Sequence, residues 1–294
     1  MIGRAFGTFG ELLQGALPDG EVDFLVTFPV ARWSVARFRP GPDGRLRVFP
    51  PDRTKSLRLA ERLLDASGRR AGGTLTLSGD LPVGKGMASS SADLVATARA
   101  VGSALGMDTG PSAIEGWLRP IEPTDGVMHD GVVAFEHRRV RLRGVLGGLP
   151  ALTVLAVDEG GRLDTVAFNR RPKPYSAADR LEYADLLETI AGAIATGDLA
   201  AVGAVATRSA VLNQRLHHKR NLDGLIRIAA DTGALGVACA HSGTVAGLLF
   251  PQDPDAAAFA AAMAACTALP GTTSVVRSLA FDSVGCAACV STRP

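Results

Sequence analysis

Hydrophobic positions alternate with polar ones or recur at helical spacing along most of the chain, which predicts a mixture of strands and helices. The first half contains four short β-rich segments bounded by proline- or glycine-containing turns: residues 23–27, 31–38, 45–49 and 74–77. Apolar residues at helical spacing over 57–66 predict a helix. The alanine-rich segment 91–105 predicts another, with Ser89 or Ser90 as the cap of its first amides.

The second half begins with a buried strand over 149–157. It continues with helices predicted over 181–194, 199–212, 222–230 and 255–268, and with strands over 237–239, 244–250 and 274–281. Strands dominate first and helix–turn–strand units follow. This order favours an α+β fold in two parts, residues 1–150 and 151–294.

Composition narrows the classes of protein. The 294 residues carry 31 basic and 29 acidic side chains, a net charge of +2, which is not the basic surface that nucleic-acid binding requires. No run of 18 apolar residues predicts a membrane span, and the first residues do not resemble a signal peptide, so we expect a cytoplasmic protein. Cys286 and Cys289 form a lone C-x-x-C while Cys239 and Cys266 are single, a pattern that favours reduced thiols over a zinc or redox site.

A loop rich in glycine and serine stands between a predicted strand and the helix over 91–105. Its residues are Pro82, Val83, Gly84, Lys85, Gly86, Met87, Ala88, Ser89, Ser90 and Ser91. The start of a helix presents unpaired amides and a partial positive charge, and the glycines allow an anion to approach the backbone closely. The loop is not a Walker A motif, because Lys85 precedes the second glycine, and Ser89 excludes G-x-G-x-x-G. From the residues alone, it is a phosphate-binding loop or a glycine turn capped by serines.

Four segments together resemble the motifs of the GHMP kinase superfamily, and in particular its branch of L-threonine kinases of cobalamin synthesis. They are residues 7–15 (GTFGELLQG), 82–92 (PVGKGMASSSA), 122–128 (EPTDGVM) and 240–247 (AHSGTVAG). Three positions depart from these patterns: Phe6 stands where the superfamily usually has proline, Phe9 where the threonine-kinase branch often has cysteine, and Ala88 replaces the usual glycine but matches that branch.

The resemblance implies an N-terminal part similar to ribosomal protein S5 domain 2 and a ferredoxin-like C-terminal part. It implies that the loop 82–91 binds ATP and that the γ-phosphoryl group passes to the side-chain hydroxyl of a small amino acid. The implied substrate is L-threonine, and the product, O-phospho-L-threonine, would supply the aminopropanol linker of cobalamin. Two alternatives stay open: a kinase for L-serine, homoserine or a secondary-metabolite intermediate, and a non-catalytic nucleotide-binding regulator. We expect a monomer or homodimer.

The resemblance also implies roles for individual residues. The catalytic residues would be Asp125, Ser90 and Lys85. Asp125 would accept or orient the proton of the attacking hydroxyl, although aspartate is also common in such turns for local reasons. Ser90 and Glu115 would hold Mg2+, with Glu122 as the alternative to Glu115. The substrate-binding residues would be Thr8, Glu11, Gln14, His241, Ser242 and Gly243. His217 and His218 are predicted to lie at a solvated helix end rather than in a metal site.

Overall fold

Strands and helices follow one another in an α+β order. The computed structural model describes residues 1–19, 22–42, 44–68, 72–161, 168 and 172–280. The strands are β1 (Ile2–Ala16), β2 (Asp23–Gly41), β3 (Leu46–Phe49), β4 (Gly72–Gly79), β5 (Val132–Glu136), β6 (Arg141–Gly147), β7 (Leu152–Asp158), β8 (Gly236–Cys239), β9 (Val245–Pro251) and β10 (Ser274–Ala280). The helices are α1 (Thr54–Ala66), α2 (Ser89–Leu105), α3 (Pro111–Leu118), α4 (Ala177–Thr196), α5 (Leu199–Asn213), α6 (Leu222–Thr232) and α7 (Ala256–Thr267).

The described strands form one sheet, in which β1 joins the strands of the two halves of the chain. The order is β10-β7-β9-β8-β1-β2-β4-β3, and β5 pairs with both β2 and β6. Neighbours are antiparallel except β3 and β4. On one side β1 pairs with β2 along its length, and on the other Glu11 pairs with Cys239 of β8. This arrangement confirms the predicted α+β class.

The sequence does not predict the long strand pair β1–β2. Proline at position 29 predicted a break between two strands, yet β2 runs through it. The register of β1 against β2 shifts just after Thr8, which pairs with Pro29, so a local irregularity accommodates the residue that has no N–H to donate. Gly10 in the same stretch has φ +54°, and a Cβ there would lie 2.5 Å from the Cys239 oxygen. Glycine is therefore required at this crossing.

Three hydrophobic clusters hold the helices against the sheet. The first helices, α1 and α2, pack against each other, and α2 covers β1 and β2. Helices α4 and α5 pack on the other part of β1 and on β8. Helices α6 and α7 cover β8 and β9. Because α2 lies directly on the central strand, its first turn is held at a fixed position in the molecule.

The predicted helices and most predicted strands lie within elements of the structure. Strands β1, β5 and β6 and helix α3 were not predicted. The strand predicted over 274–281 corresponds to β10, but its last residue and the Cys286–Cys289 pair lie outside the described residues. The division near residue 150 stays a prediction. Within the described ranges no helix is both long and apolar enough to cross a membrane.

Candidate active site

A cleft of about 270 Å³ opens at the first turn of α2. Most of the predicted phosphate loop lines it, namely Val83, Gly84, Gly86, Met87, Ala88, Ser89, Ser90 and Ser91. Pro82 and Lys85 belong to the same loop but do not line the cleft. Residues of β1, of the start of α1, of the segment 122–125 and of the turn after β8 complete the walls.

The first turn of α2 is left without a side-chain cap. Ala88 occupies the N-cap position with φ 56°, and no side chain accepts from the first amides. The prediction that Ser89 or Ser90 caps the helix is therefore wrong. Uncapped amides and the positive end of the helix dipole face a cleft, which is the arrangement that binds anionic groups.

Ser90 is part of a compact polar group at this turn. Its hydroxyl donates to Oε1 of Glu122, whose other oxygen accepts from the ammonium of Lys55. The Glu122 side chain is only 3% exposed, whereas that of Lys55 is 45% exposed. A hydroxyl and a carboxylate thus meet beside the uncapped first turn of α2, and a half-exposed cation lies next to them.

Glu115 does not take part in this group, so the expectation that it lies beside Ser90 is wrong. Its Oε1 accepts from Nε2 of His129 at 2.7 Å and from the backbone amide of Leu142 at 3.1 Å. Glu115 is buried on α3, and these bonds tie α3 to β6. The alternative carboxylate, Glu122, is the one that the fold brings to Ser90.

Asp125 contacts the next serine of the loop. The Ser91 hydroxyl donates to Oδ2 of Asp125 at 3.0 Å, and it lies 3.1 Å from the Asp125 amide. Burial raises the pKa of Asp125 to about 6, helped by the negative charge of Glu122 and opposed by the Ser91 bond. Consecutive serines therefore anchor two carboxylates, and one of them is suited to accept a proton near neutral pH.

Glu11 of β1 contacts the turn that follows β8. Its Oε2 accepts from the His241 amide at 2.7 Å. Burial, followed by the charge of Asp125, raises the pKa of Glu11 well above its usual range, and the His241 amide and the charge of Lys219 lower it in part. Glu11, His241 and Ser242 line the cleft, as three of the six predicted substrate-binding residues.

The other three predicted substrate-binding residues lie behind this wall. Thr8 is buried with its amide donating to Met87 O at 3.3 Å, and its hydroxyl has no partner among the described residues. Gln14 is fully buried and bonds to His241 and to Cys239. Gly243 does not line the cleft: a Cβ there would lie 2.2 Å from the Lys85 oxygen, so the turn after β8 packs directly on the phosphate loop.

The carbonyl of Gly243 is held from behind by two side chains. His217 Nε2 lies 2.9 Å from it, and the buried ammonium of Lys219 donates to it. His217 therefore belongs to an internal contact and not to a solvated helix end, as had been predicted, while His218 is exposed. Together these contacts hold the second glycine turn against the first.

Lys85 does not reach the cleft, contrary to the prediction that it is catalytic. Its ammonium pairs with Oδ2 of Asp158 at 2.6 Å and donates to the Gly161 carbonyl at 2.9 Å. Lys55, which sequence reasoning missed, is the lysine of the cleft. The only signal for it was a position at the start of a predicted helix, and many surface lysines share that property.

Comparisons with known proteins identify the family of this chain. The family model "GHMP kinases N terminal domain" matches residues 55–131, and "GHMP kinases C terminal" matches residues 190–268. The L-threonine kinases of Citrobacter freundii and Salmonella typhimurium are each 28% identical to this chain over 83% of its length, which corresponds to 84% and 80% of those proteins.

Solved structures of low sequence identity share the fold. The mevalonate kinase of L. major aligns with a TM-score of 0.67 at 16% identity, covering 96% of this chain and 95% of that one. The homoserine kinase of Cytophaga hutchinsonii aligns with a TM-score of 0.66 at 16% identity, with the same coverage. With both family models matched in order, and with an uncapped helix start in a cleft, this chain belongs to the GHMP kinases and is an ATP-dependent small-molecule kinase.

Proposed function

We propose that this kinase transfers the γ-phosphoryl group of ATP to the side-chain hydroxyl of L-threonine and releases O-phospho-L-threonine. The observation that carries the proposal is the pairing of Ser90 with Glu122 and of Ser91 with Asp125 at the start of α2. It brings a candidate base next to the turn where a triphosphate would bind. The choice of threonine is supported by the 28% identical relatives, which are L-threonine kinases.

The chain's own groups suit the binding of a triphosphate. The first amides of α2 and the backbone at Gly84 and Gly86 would contact phosphate oxygens, because they combine positive potential with close approach. Lys55 would offset part of the negative charge from the side of α1. Phosphoryl transfer depends mainly on positioning and charge neutralisation, and these groups supply both.

Ser90 and Glu122 are the residues that would hold Mg2+, in place of the predicted pair Ser90 and Glu115. A hydroxyl and a carboxylate oxygen are ligands that this ion prefers, and it commonly takes the rest from water and phosphate. Among the described residues no three His, Cys, Asp or Glu side chains are grouped to hold a metal. A site with two protein ligands is consistent with this, because Mg2+ needs few of them. When bound, the ion would neutralise phosphate charge.

The substrate would lie between Asp125 and the wall formed by Glu11 and His241. The Asp125 carboxylate would accept the proton of the attacking hydroxyl. The buried carboxylate of Glu11 would accept from the substrate's ammonium, because a buried carboxylate gains much from a cationic partner. The product would serve the cobalamin linker, as the resemblance implies.

Substrate-dependent ADP release tests this proposal across L-threonine, L-serine, L-homoserine and a reaction without acceptor. We expect the highest kcat/KM with L-threonine and a phosphorylated product of matching mass. Equal or higher turnover of serine or homoserine contradicts the threonine assignment. ATP binding that raises the unfolding temperature, with no phosphorylated product from any hydroxy compound, would instead identify a regulator.

A further inference from the structure

A lysine outside all four motifs contacts His241, one of the two residues proposed to face the substrate. Lys173 precedes α4, and its Nζ lies 3.3 Å from His241 Nε2 and 5.7 Å from the ring centroid of Phe168. No carboxylate of the described residues lies within 4.0 Å of it to form an ion pair. The nearby carboxylate of Asp23 is paired with Arg138 at 2.8 Å. Lys173 is therefore a partly buried cation whose negative partner is missing from the described protein.

The hydrogen bonds of His241 determine what this cation can do. Gln14 donates from Nε2 to the Cys239 carbonyl at 3.2 Å, so its Oε1 is the atom that faces His241 Nδ1 at 2.8 Å. Nδ1 therefore carries the proton and donates, which leaves Nε2 as an acceptor. Nε2 accepts from the Lys173 ammonium and cannot donate to a substrate oxygen. The ammonium of Lys173, which does not itself line the cleft, is therefore the donor held behind the ring of His241.

Opposite charges consequently flank one cleft residue. The His241 amide is bonded to the Glu11 carboxylate, and its ring is bonded to the Lys173 ammonium. An α-amino acid carries an ammonium and a carboxylate on the same carbon, which matches the two groups of opposite sign that His241 holds next to each other. We propose that Lys173 binds the α-carboxylate of the substrate and so selects amino acids over other small alcohols; this inference rests on the proposed function.

Burial supports the same conclusion. Burial lowers the pKa of Lys173 to about 8, and the charge of Arg138 adds to this effect while that of Asp23 opposes it. The free-energy cost of burying a cation is offset when an anion binds beside it.

The test compares L-threonine with L-threonine amide, which keeps the ammonium and the hydroxyl but has no negative charge. We expect Lys173→Met to raise the KM for L-threonine by about ten- to a hundredfold, the loss typical of a charged hydrogen bond, and to leave the KM for the amide unchanged. Lys173→Arg should restore part of the affinity for L-threonine. The KM for ATP should not change in either variant.

The double substitution Arg138→Met with Asp23→Asn is the matched control, since it removes the neighbouring ion pair without a contact to His241 and leaves no carboxylate free to pair with Lys173. It should shift the KM of the acid and of the amide equally or not at all. The unfolding temperature of Lys173→Met should change little, because removing a partly buried cation without an anionic partner offsets the loss of its bond to His241.

Two results would overturn the inference: an unchanged KM for L-threonine in Lys173→Met, or an equal rise for the acid and the amide, which indicates a purely structural role. Its failure is distinct from that of the proposed function. If the wild-type enzyme phosphorylates no hydroxy amino acid, the proposed function is wrong and this inference falls with it. If the wild-type enzyme does so and the variant behaves the same, only the inference is wrong.

Discussion

Two lysines lie near the turn proposed to bind phosphate, and the fold uses them in different ways. Lys85 stands inside the glycine-rich motif, but its ammonium is bonded to Asp158 at the end of β7 and its side chain is 20% exposed. Lys55 lies outside every motif, at the start of α1, and its ammonium enters the cleft beside Ser90 and Glu122. Membership of a motif and access to the site are therefore separate properties.

The difference follows from what each lysine is attached to. Thr244 donates its backbone amide to the Lys85 carbonyl at 3.2 Å, so the loop is already held against the turn after β8, and the Lys85 side chain extends towards β7. Helix α1 packs beside α2, which brings Lys55 over the first turn of α2. We infer that Lys85 stabilises the loop and that Lys55 acts on the bound nucleotide.

The largest effects are expected in the polar group that contains Lys55. Ser90→Ala or Glu122→Gln should lower kcat by at least about a hundredfold, because the first removes an oxygen ligand proposed for Mg2+ and the second removes the negative charge of the other. Ser90→Ala should cost no more than about 1 kcal/mol of folding free energy, since Ser90 does not cap α2. Steady-state rates over a Mg2+ titration and thermal unfolding measure the two effects.

Glu115→Gln is the matched control for this pair. It should lower the unfolding temperature, because Glu115 bonds to His129 and Leu142, and leave the Mg2+ dependence of the rate unchanged. An altered Mg2+ dependence in Glu115→Gln, together with a normal one in Glu122→Gln, would show that Glu115 and not Glu122 holds the metal.

The next effect separates the two lysines directly. Lys55→Met should lower kcat by about ten- to a hundredfold, because a cation near the transferring phosphoryl group is lost. Lys85→Met should leave kcat nearly unchanged and lower the unfolding temperature. Both variants remove one positive charge close to the same loop, so each is the control for the other. Similar losses of kcat in both would contradict the assignment.

The motifs located the cleft because their physics is local. Glycines that permit close approach, serines at a helix start and an aspartate in a turn are properties of short segments, and the structure brings these segments together. Local sequence does not decide whether Glu115 or Glu122 lies beside Ser90. The choice depends on the amide of Leu142 in β6, which occupies the Glu115 carboxylate, and no spacing along the chain reveals that bond.

The fold was predictable to a similar extent. Amphipathic and alanine-rich helices were recognised because their apolar positions recur at helical spacing. Strand β1 was missed because its glycines and polar residues are poor indicators of a strand, although it is the central one. Its residues are explained only by long-range contacts, such as the approach of the Cys239 carbonyl to Gly10.

Asp125 bonds to Ser91 and to no lysine of the described residues. Its substitution should lower kcat less than the loss of Lys55 does, and it should raise the stability of the fold. Asp125→Asn should lower kcat by about tenfold, because a loose phosphoryl-transfer transition state needs little help from a base. The acidic limb of the wild-type kcat profile, expected near pH 6 where Asp125 takes up its proton, should disappear in the variant.

The sign of the stability effect follows from the raised pKa. The folded protein binds the Asp125 proton more tightly than the unfolded chain does, so ionisation destabilises the fold as the pH rises through about 6. Asp125→Asn should therefore be more stable than wild type at pH 8, by roughly 1 kcal/mol, and lose this advantage near pH 4. Urea unfolding at the two pH values measures it, and a variant less stable at pH 8 would contradict the cause given for the shift.

The smallest kinetic effect is expected at Asp158, the partner of Lys85. Burial alone would raise the pKa of Asp158, but bonds from Lys85, Thr244 and the Gly160 amide outweigh it and lower the pKa. The carboxylate therefore stabilises the fold at neutral pH, and this contribution is lost as the pH falls through its lowered pKa. Asp158→Asn should cost about 1 kcal/mol at pH 7, progressively less in acid, and leave kcat nearly unchanged. A loss of kcat as large as that of Lys55→Met would show that the Lys85 pair positions the phosphate loop during turnover, and the two lysines would then differ in distance from the nucleotide and not in role.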